Sequence, residues 1–385
     1  MSKSKIRVGF LTALNPKDKR SWSGTTYRMC SALEEEFETV VCYGPLMLNP
    51  LQKGLLRLSF FLQKSLHRLV YGKKFNVAHN HTISKIYGRL FTKIVAKSPV
   101  DVIFAPSASV EIAYLETAIP IYYLSDATFD LICNYYDAFK ELSSKSIEES
   151  NEIEQLAIQR SKAQIFSSQW AINSAISRYN ASKTFLVKLG ANLDKTPDLT
   201  KKVTSDKTSF TLLFIGVDWL RKGGPLVLET LDILVNQGHE IKLIVCGCEP
   251  NESRNYMQVI PFLDKNKPSD LEKIEKLYFT SDILFMPTKA DCTPIAFCEA
   301  NAFGLPVISS RTGGVDAVIE NDVNGLLLPP SAKASEYAAL IESLIHHPTY
   351  LKELSISSRK KFEDELNWKV WGKKMKDIIT STHTG

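Results

Sequence analysis

Short apolar runs of strand length alternate with helical patterns from one end of the chain to the other, and no other feature constrains the fold as much. Runs of this kind separated by helix-period stretches are the βαβα signature of a parallel sheet covered by helices. In the first half the strand candidates are IRVGFLT (6–12), TVVCYG (39–44), DVIFA (101–105), IPIYYL (119–124), AQIFSS (163–168) and TFLVKL (184–189). A polar stretch, ANLDKTPDLTKKVTSDKTS (191–209), lacks apolar periodicity and contains a proline, which marks a linker. The alternation restarts with FTLLFIG (210–216), IKLIVCG (241–247), MQVIPFL (257–263), DILFMPT (282–288), PVISS (306–310) and GLLLPP (325–330). The expected fold is α/β, with two doubly wound domains over 1–195 and 205–366. Such folds bind ligands at the carboxyl ends of their strands, so two facing domains would share a cleft. At 385 residues the chain is also long for a single core. NWKVWGKKMKDIIT (367–380) begins a last helical segment, 367–385, which either packs back on the first domain or caps the second.

The composition, 44% hydrophobic and 23% charged, is that of an ordinary globular chain. No apolar run approaches the ~20 residues needed to span a bilayer. The opening MSKSKIRVGFLTALN has no small-residue cleavage site and reads as a first strand, so the expected location is the cytoplasm. Seven cysteines without metal-ligand spacing fit buried thiols in a reducing compartment, and no zinc site is expected from them. The net charge of +5 is mild, and no nucleic-acid partner follows from it.

One stretch, DCTPIAFCEANAFGLPV (291–307), carries chemistry at its start. Gly304 and Pro306 stop a helix there, and Thr293 with Pro294 reads as its N-cap and first position. Asp291 stands just ahead of that entry and Glu299 lies inside it. A helix start offers unpaired amides and a partial positive charge, which suits an anion. Two carboxylates around it suggest a ligand with a phosphate in the middle and hydroxyls at both ends. The plain alternative is an Asp near a helix start and a solvated Glu.

After FTLLFIG, Arg221 and Lys222 fall in a strand-to-helix loop closed by Gly223, Gly224 and Pro225. Two cations beside a helix N-terminus form a diphosphate clamp, or else a pair of solvated surface charges. Gly313 and Gly314 follow PVISS on the same edge of the sheet and expose backbone amides. In the first half Gly24 precedes an amphipathic helix. It permits close approach of backbone to a phosphate from the opposite domain, although turn geometry alone also explains it.

Together these stretches resemble the retaining, nucleotide-sugar-dependent glycosyltransferases of family 4 (glycosyl transferases group 1), which have the two-domain GT-B fold. The resemblance is densest over 210–330: strand–Gly–Arg-Lys-Gly-Gly, SDILFMPT, two acids with seven residues between them, EANAFGLPVISS, TGGV and NGLLLPP. It is looser over 1–190. It implies two facing Rossmann-like domains, a closing helix that crosses back to the first, and transfer of a hexose from a UDP- or GDP-sugar to a hydroxyl with retention. The expected acceptor is a saccharide or lipid-linked precursor of a cell-surface polysaccharide or glycolipid, for which the basic stretch at 51–74 would offer docking. Glu299 takes the role that grips the donor ribose and Asp291 the role beside the donor sugar. The diphosphate faces the start of the helix at Thr293, Pro294, Ile295 and Ala296, with amides from all but the proline. Lys222, with Arg221, neutralises the departing diphosphate, so neither metal nor other cofactor is expected. Two departures stand out: the first acid is usually Glu, and the loop at Gly24 usually has two adjacent glycines where this chain reads Ser23-Gly24-Thr25. Two rival readings are a GT-B-type nucleotide-sugar epimerase or hydrolase, and a donor-binding subunit without turnover.

For the first half the resemblance implies an acceptor site and a polar residue near the anomeric carbon. Asp126, at the end of IPIYYLS, orients the acceptor hydroxyl or stabilises charge on the sugar; a helix N-cap before Ala127 is the alternative. His79 and His81 read as ordinary loop histidines. In LQKGLLRLSFFLQKSLHRLVYGKK (51–74), Leu51, Leu55, Leu58, Leu62, Leu66 and Leu69 form one helical face. Lys53, Arg57, Lys64 and Arg68 form another, and Leu56, Phe60 and Phe61 widen the apolar arc. Such a helix either lies on the anionic inner face of a membrane or turns its leucines into the core.

Overall fold

The structure is a computed structural model that describes residues 3–201 and 209–383. The chain divides into two compact units, Met1–Val187 with Gly372–Gly385, and Lys188–Trp371. The first unit runs β1 (Ser4–Phe10), α1 (Thr25–Glu36), β2 (Phe37–Cys42), α2 (Pro50–Tyr71), α3 (His81–Lys97), β3 (Val102–Pro106), α4 (Ser109–Ile112), β4 (Ile121–Ser125), α5 (Phe129–Ile132), α6 (Ser144–Arg160), β5 (Ala163–Phe166), α7 (Gln169–Tyr179) and β6 (Thr184–Leu186). Its strands form one parallel sheet in the order β2-β1-β3-β4-β5-β6. The winding therefore reverses between β1 and β3. Phe10, Phe104, Tyr122 and Phe166 are fully buried, as strands covered on both faces require.

The second unit contains β7 (Phe210–Ile215), α8 (Gly224–Asn236), β8 (Ile241–Cys246), β9 (Met257–Ile260), α9 (Pro268–Thr280), β10 (Ile283–Phe285), α10 (Ile295–Ala302), β11 (Val307–Ser310), β12 (Gly325–Leu328), α11 (Ala334–His346) and α12 (Pro348–Asp364). Its parallel sheet has the order β12-β11-β10-β7-β8-β9, and here the reversal falls between β7 and β10. Each of the twelve expected strands appears, most of them shorter than the apolar run that announced it. TFLVKL, for example, is a strand only over Thr184–Leu186.

The division between units differs from the expected boundaries at 195 and 205. It falls between Val187 and Lys188. The start of the supposed linker is tied into the second unit: Ala191 N–H donates to Leu366 O at 2.9 Å, and Arg359 Nη1 donates to Pro197 O at 2.9 Å. Polarity mimicked a linker because these residues bond through backbone atoms, which composition does not reveal. Residues 202–208, the rest of that stretch, lie outside the described residues. The last helix, α13 (Trp368–His383), belongs to the first unit from Gly372 onward. There Tyr122 Oη shares a hydrogen bond with Thr382 Oγ1 at 2.7 Å, and Lys376 pairs with Glu36 at 3.1 Å.

Helix α2 has a capping box between Asn49 and Gln52 and a left-handed Gly72 at its end. Its inward line is not the leucine row. Leu56 and His67 are buried, His67 Nδ1 lies 2.6 Å from Ser143 Oγ, and Gln63 donates to Thr82 Oγ1 at 3.2 Å. Leu51, Leu55, Leu58, Leu62, Leu66 and Leu69 are all more than half exposed. The expectation that the leucines turn into the core is therefore overturned. A buried histidine and a half-buried glutamine on the opposing line find polar partners, and periodicity alone does not say which stripe faces in.

The first unit also buries two carboxyls. Glu154 on α6 accepts from Tyr123 Oη at 3.0 Å, and Glu111 on α4 accepts from Ala13 N–H at 3.3 Å. Burial pushes each pKa up to about 7, from the ordinary 4.5. The folded chain thus holds these protons to higher pH than the unfolded chain, so stability falls as pH rises from 4.5 toward 7 and the deficit is complete above that. Glu154→Gln keeps an acceptor for Tyr123 and removes the charge. Relative to this variant, the wild type should lose about 3 kcal/mol of stability between pH 4.5 and pH 8. Denaturant unfolding at the two pH values tests it; equal pH dependence in both proteins would show that Glu154 ionises freely in the fold.

Candidate functional site

The reversal of strand order between β7 and β10 leaves a crevice at their carboxyl ends, where open α/β sheets bind ligands. The loops after these two strands carry Arg221, Lys222 and Asp291. Gly223, with φ +87°, closes the first loop ahead of α8. A Cβ there would lie 2.1 Å from Pro287 O, so only glycine lets the loop lie against the segment after β10. The two loops are then laced together. Arg221 Nη1 donates to Ala290 O at 2.7 Å and its Nε to Asp218 Oδ2 at 3.1 Å, while Lys289 N–H donates to Arg221 O at 2.8 Å. The guanidinium expected in a diphosphate clamp is thus engaged in holding loop to loop.

Lys222 pairs with Asp291, and both side chains are nearly closed to solvent. A third loop joins them, since Gly314 N–H donates to Asp291 O at 3.0 Å. That loop follows β11 and includes the left-handed Gly313, with φ +56°. Glu299 lies buried on α10, its Oε1 paired with Lys265 and its Oε2 accepting from Tyr278 Oη at 3.1 Å. Tyr278 is itself fixed by stacking on Phe303, with ring centroids 4.9 Å apart. Neither acid is a solvated surface group, so that alternative falls. Each carboxylate sits in a closed environment against a lysine, an arrangement in which removing one partner leaves a buried charge.

The helix entry differs from its reading. α10 starts at Ile295 with Pro294 in the cap position and no side-chain cap. Thr293 does not cap it; its hydroxyl donates to Cys292 O at 2.9 Å. Proline at the cap removes an amide but leaves its carbonyl to accept from Phe297 N–H at 2.9 Å. Ile295 and Ala296 then occupy the first helical positions, whose N–H groups have no intrahelical acceptor. Gly304 takes the left-handed conformation expected after the helix, φ +57°.

In the first unit Gly24 caps α1 with φ +91°, and the preceding Trp22 and Ser23 are also left-handed, at +48° and +56°. The loop is reshaped around Trp22 where adjacent glycines were the family pattern. Asp126 follows β4 half-buried and does not cap a helix: the cap position of α5 is Thr128, and Ser125 Oγ closes the turn by donating to Ala127 O at 2.7 Å. His79 is packed against Phe129 and Phe139, and burial lowers its pKa to about 4, which leaves it neutral at pH 7. His81 lies between Glu152 and Tyr114, at 2.8 Å from each.

Sequence reasoning missed Lys265 and Tyr278. Lys265 carried a usable signal. It follows the strand MQVI and precedes Pro268 of α9, so it is a cation in a strand-to-helix loop on the same edge as Lys222. Tyr278 carried none, because helical periodicity cannot separate a buried polar group of a site from one more core position.

Residues 195–361 match the family of the glycosyl transferases group 1. Among curated proteins, the spore coat protein SA of Bacillus subtilis (strain 168) is 28% identical over 173 residues, which cover 41% of this chain and 45% of that one. The amylovoran biosynthesis glycosyltransferase AmsK of Erwinia amylovora is 32% identical over 176 residues, 41% of this chain and 42% of that one. The alignments thus span less than half the length of these relatives. Among solved structures, sucrose-phosphate synthase from Thermosynechococcus elongatus superposes with a TM-score of 0.68 at 15% identity, covering 99% of this chain and 100% of that one. Anabaena HepE in complex with UDP and glucose gives 0.64 at 16% identity, covering 98% and 100%. By the paired parallel sheets of its two units and their likeness to these structures, the chain has the GT-B fold of two Rossmann-like domains, and its second unit carries the match to the glycosyl transferases group 1.

Proposed function

We propose that the chain is a retaining glycosyltransferase of family 4 that moves a hexose from a nucleotide-sugar to a hydroxyl acceptor without a divalent metal. The observation that carries the reading is the meeting of Lys222, Asp291 and the uncapped start of α10 at the strand reversal of the second unit. Positive charge and free helix amides at one point favour a diphosphate, and the adjoining carboxylates suit hydroxyls. In this reading Glu299 holds the ribose, Asp291 the donor sugar, and Lys222 the charge that develops on the departing nucleoside diphosphate. Thr293, Ile295 and Ala296 present amides beside Pro294, while Arg221 positions the loop. A diphosphate competes with Asp291 for Lys222, so donor binding exchanges one ion pair for another. Gly24 and Asp126 serve the phosphate and the acceptor hydroxyl. The UDP named in the HepE complex makes a UDP-sugar the first donor to test, with a GDP-sugar next.

Glu299→Ala removes charge-assisted hydrogen bonds worth about 1.5–3 kcal/mol each, so nucleotide affinity should fall at least about tenfold by calorimetry while the fold survives. Lys222→Ala should lower turnover more than affinity, because its charge is most needed in the transition state. Transfer should persist in EDTA. Unchanged nucleotide binding by Glu299→Ala, or activity lost in EDTA and restored by Mg²⁺, would overturn this assignment. Donor binding without transfer to any hydroxyl would favour the non-catalytic subunit, and sugar release without acceptor the hydrolase.

The acceptor in this reading is a saccharide or a lipid-linked saccharide of a cell-surface polysaccharide or glycolipid, met by peripheral contact at the inner membrane face. No described helix is long and apolar enough to cross a membrane. What supports the contact is α2. Its inward line runs through Leu56 and His67, so, stepping 100° per residue, the outward line carries Gly54, Phe61 and Ser65. The leucine row flanks that line on one side and Lys53, Arg57, Lys64 and Arg68, all exposed, flank it on the other. A surface pressed on the outward line meets an apolar and a basic strip together, the pairing that an anionic bilayer satisfies. Vesicle binding should rise with anionic lipid and weaken with salt, which screens exposed charges over ~10 Å at 0.1 M. Changing the four basic residues to Gln should abolish it without unfolding. Equal co-sedimentation with neutral and anionic vesicles, or none with either, would leave α2 without this role.

A further inference from the structure

At the amino end of β8, on the sheet edge opposite the strand ends that carry Lys222 and Asp291, three side chains converge that the transferase reading does not use. They are His239, Glu342 and His346, which bring one ligand atom each, a ring nitrogen or a carboxylate oxygen, within 4.8 Å of one another. Each is placed by local structure. α8 ends in a Schellman motif, in which Gly238, φ +90°, donates to Val235 O at 3.0 Å and His239 N–H donates to Leu234 O at 3.1 Å. The motif fixes the backbone of His239 at the turn into β8. Glu342 and His346 are four residues apart on α11, so they share one face a turn apart.

We propose that His239, Glu342 and His346 form a binding site for a divalent transition-metal ion of the zinc type, with its fourth position open to solvent. Two imidazoles and a carboxylate are the donor set that zinc accepts in a tetrahedron. With metal–ligand bonds of ~2.0–2.1 Å, the ligand atoms of such a tetrahedron stand ~3.3 Å apart. His239 Nε2 already lies 3.2 Å from Glu342 Oε1. The exposed His346 ring, 5.6 Å from that of His239 between centroids, needs only side-chain rotation to close the third bond. The bound ion clips the last turn of α11 to the cap of α8. Its effect is therefore on the stability of the second unit, and the chemistry at Lys222 does not depend on it.

Titration of the metal-stripped full chain with Co²⁺ and Zn²⁺ tests the site. The expected result is one Co²⁺ per chain with the absorption of tetrahedral cobalt, displaced by Zn²⁺, and a thermal midpoint raised by Zn²⁺. His346→Ala, at an exposed position, should fold as the wild type does yet bind Zn²⁺ about tenfold or more weakly, and lose the thermal shift. His239→Ala should do the same. Absence of saturable binding, or equal binding by the wild type and the double variant, overturns the proposal. A simple His239–Glu342 hydrogen bond, with no metal site, would give the first of these results.

Discussion

The pairing of Lys222 with Asp291 is the interaction on which the arrangement of the second unit's loops turns. Two loops from neighbouring strands approach closely because Gly223 has no side chain to hold them apart, and Arg221 then bonds across both. Bringing two charges into a closed site is unfavourable unless they meet. Here they meet at the reversal of the sheet, where the parallel strands already deliver loops from opposite sides. Glu299 with Lys265 repeats the device one turn into α10. The site is thus charged, nearly closed and neutral in sum.

Much of this was legible in the sequence. Buried parallel strands need continuous apolar runs, so all twelve could be read, and the order of βα units gave two doubly wound halves. Asp291, Lys222 and Glu299 were legible because a strand end, a glycine turn and a helix start each leave local marks. Lys265 was legible by the same rule and passed over, since only Arg221 and Lys222 formed a conspicuous pair. What the sequence withheld were choices among equivalent surfaces and partners. Arg221 and Lys222 are adjacent and alike in charge, yet one laces loops and the other faces an acid. Thr293 looks like a cap, but the helix begins one residue later than its proline suggests, with Pro294 in the cap position.

Helix α2 shows the same limit on a larger scale. Its leucine row is the stronger periodic signal, and a core was the obvious destination. The packed line instead runs through Leu56 and His67, where polar bonds of His67 to Ser143 and of Gln63 to Thr82 anchor the helix. Hydrophobic periodicity ranks stripes by composition; which one is buried depends on the neighbour's shape and hydrogen-bonding groups.

The last helix has a consequence for biogenesis. Residues Gly372–Gly385 complete the first unit, but they are synthesised after the whole of Lys188–Trp371. Until they emerge, Tyr122 and Glu36 lack the partners that Thr382 and Lys376 provide. Domains made in succession ordinarily fold in that order. In this chain the earlier-made domain keeps Tyr122 and Glu36 without these partners until the later segment follows, while the second unit can close before it.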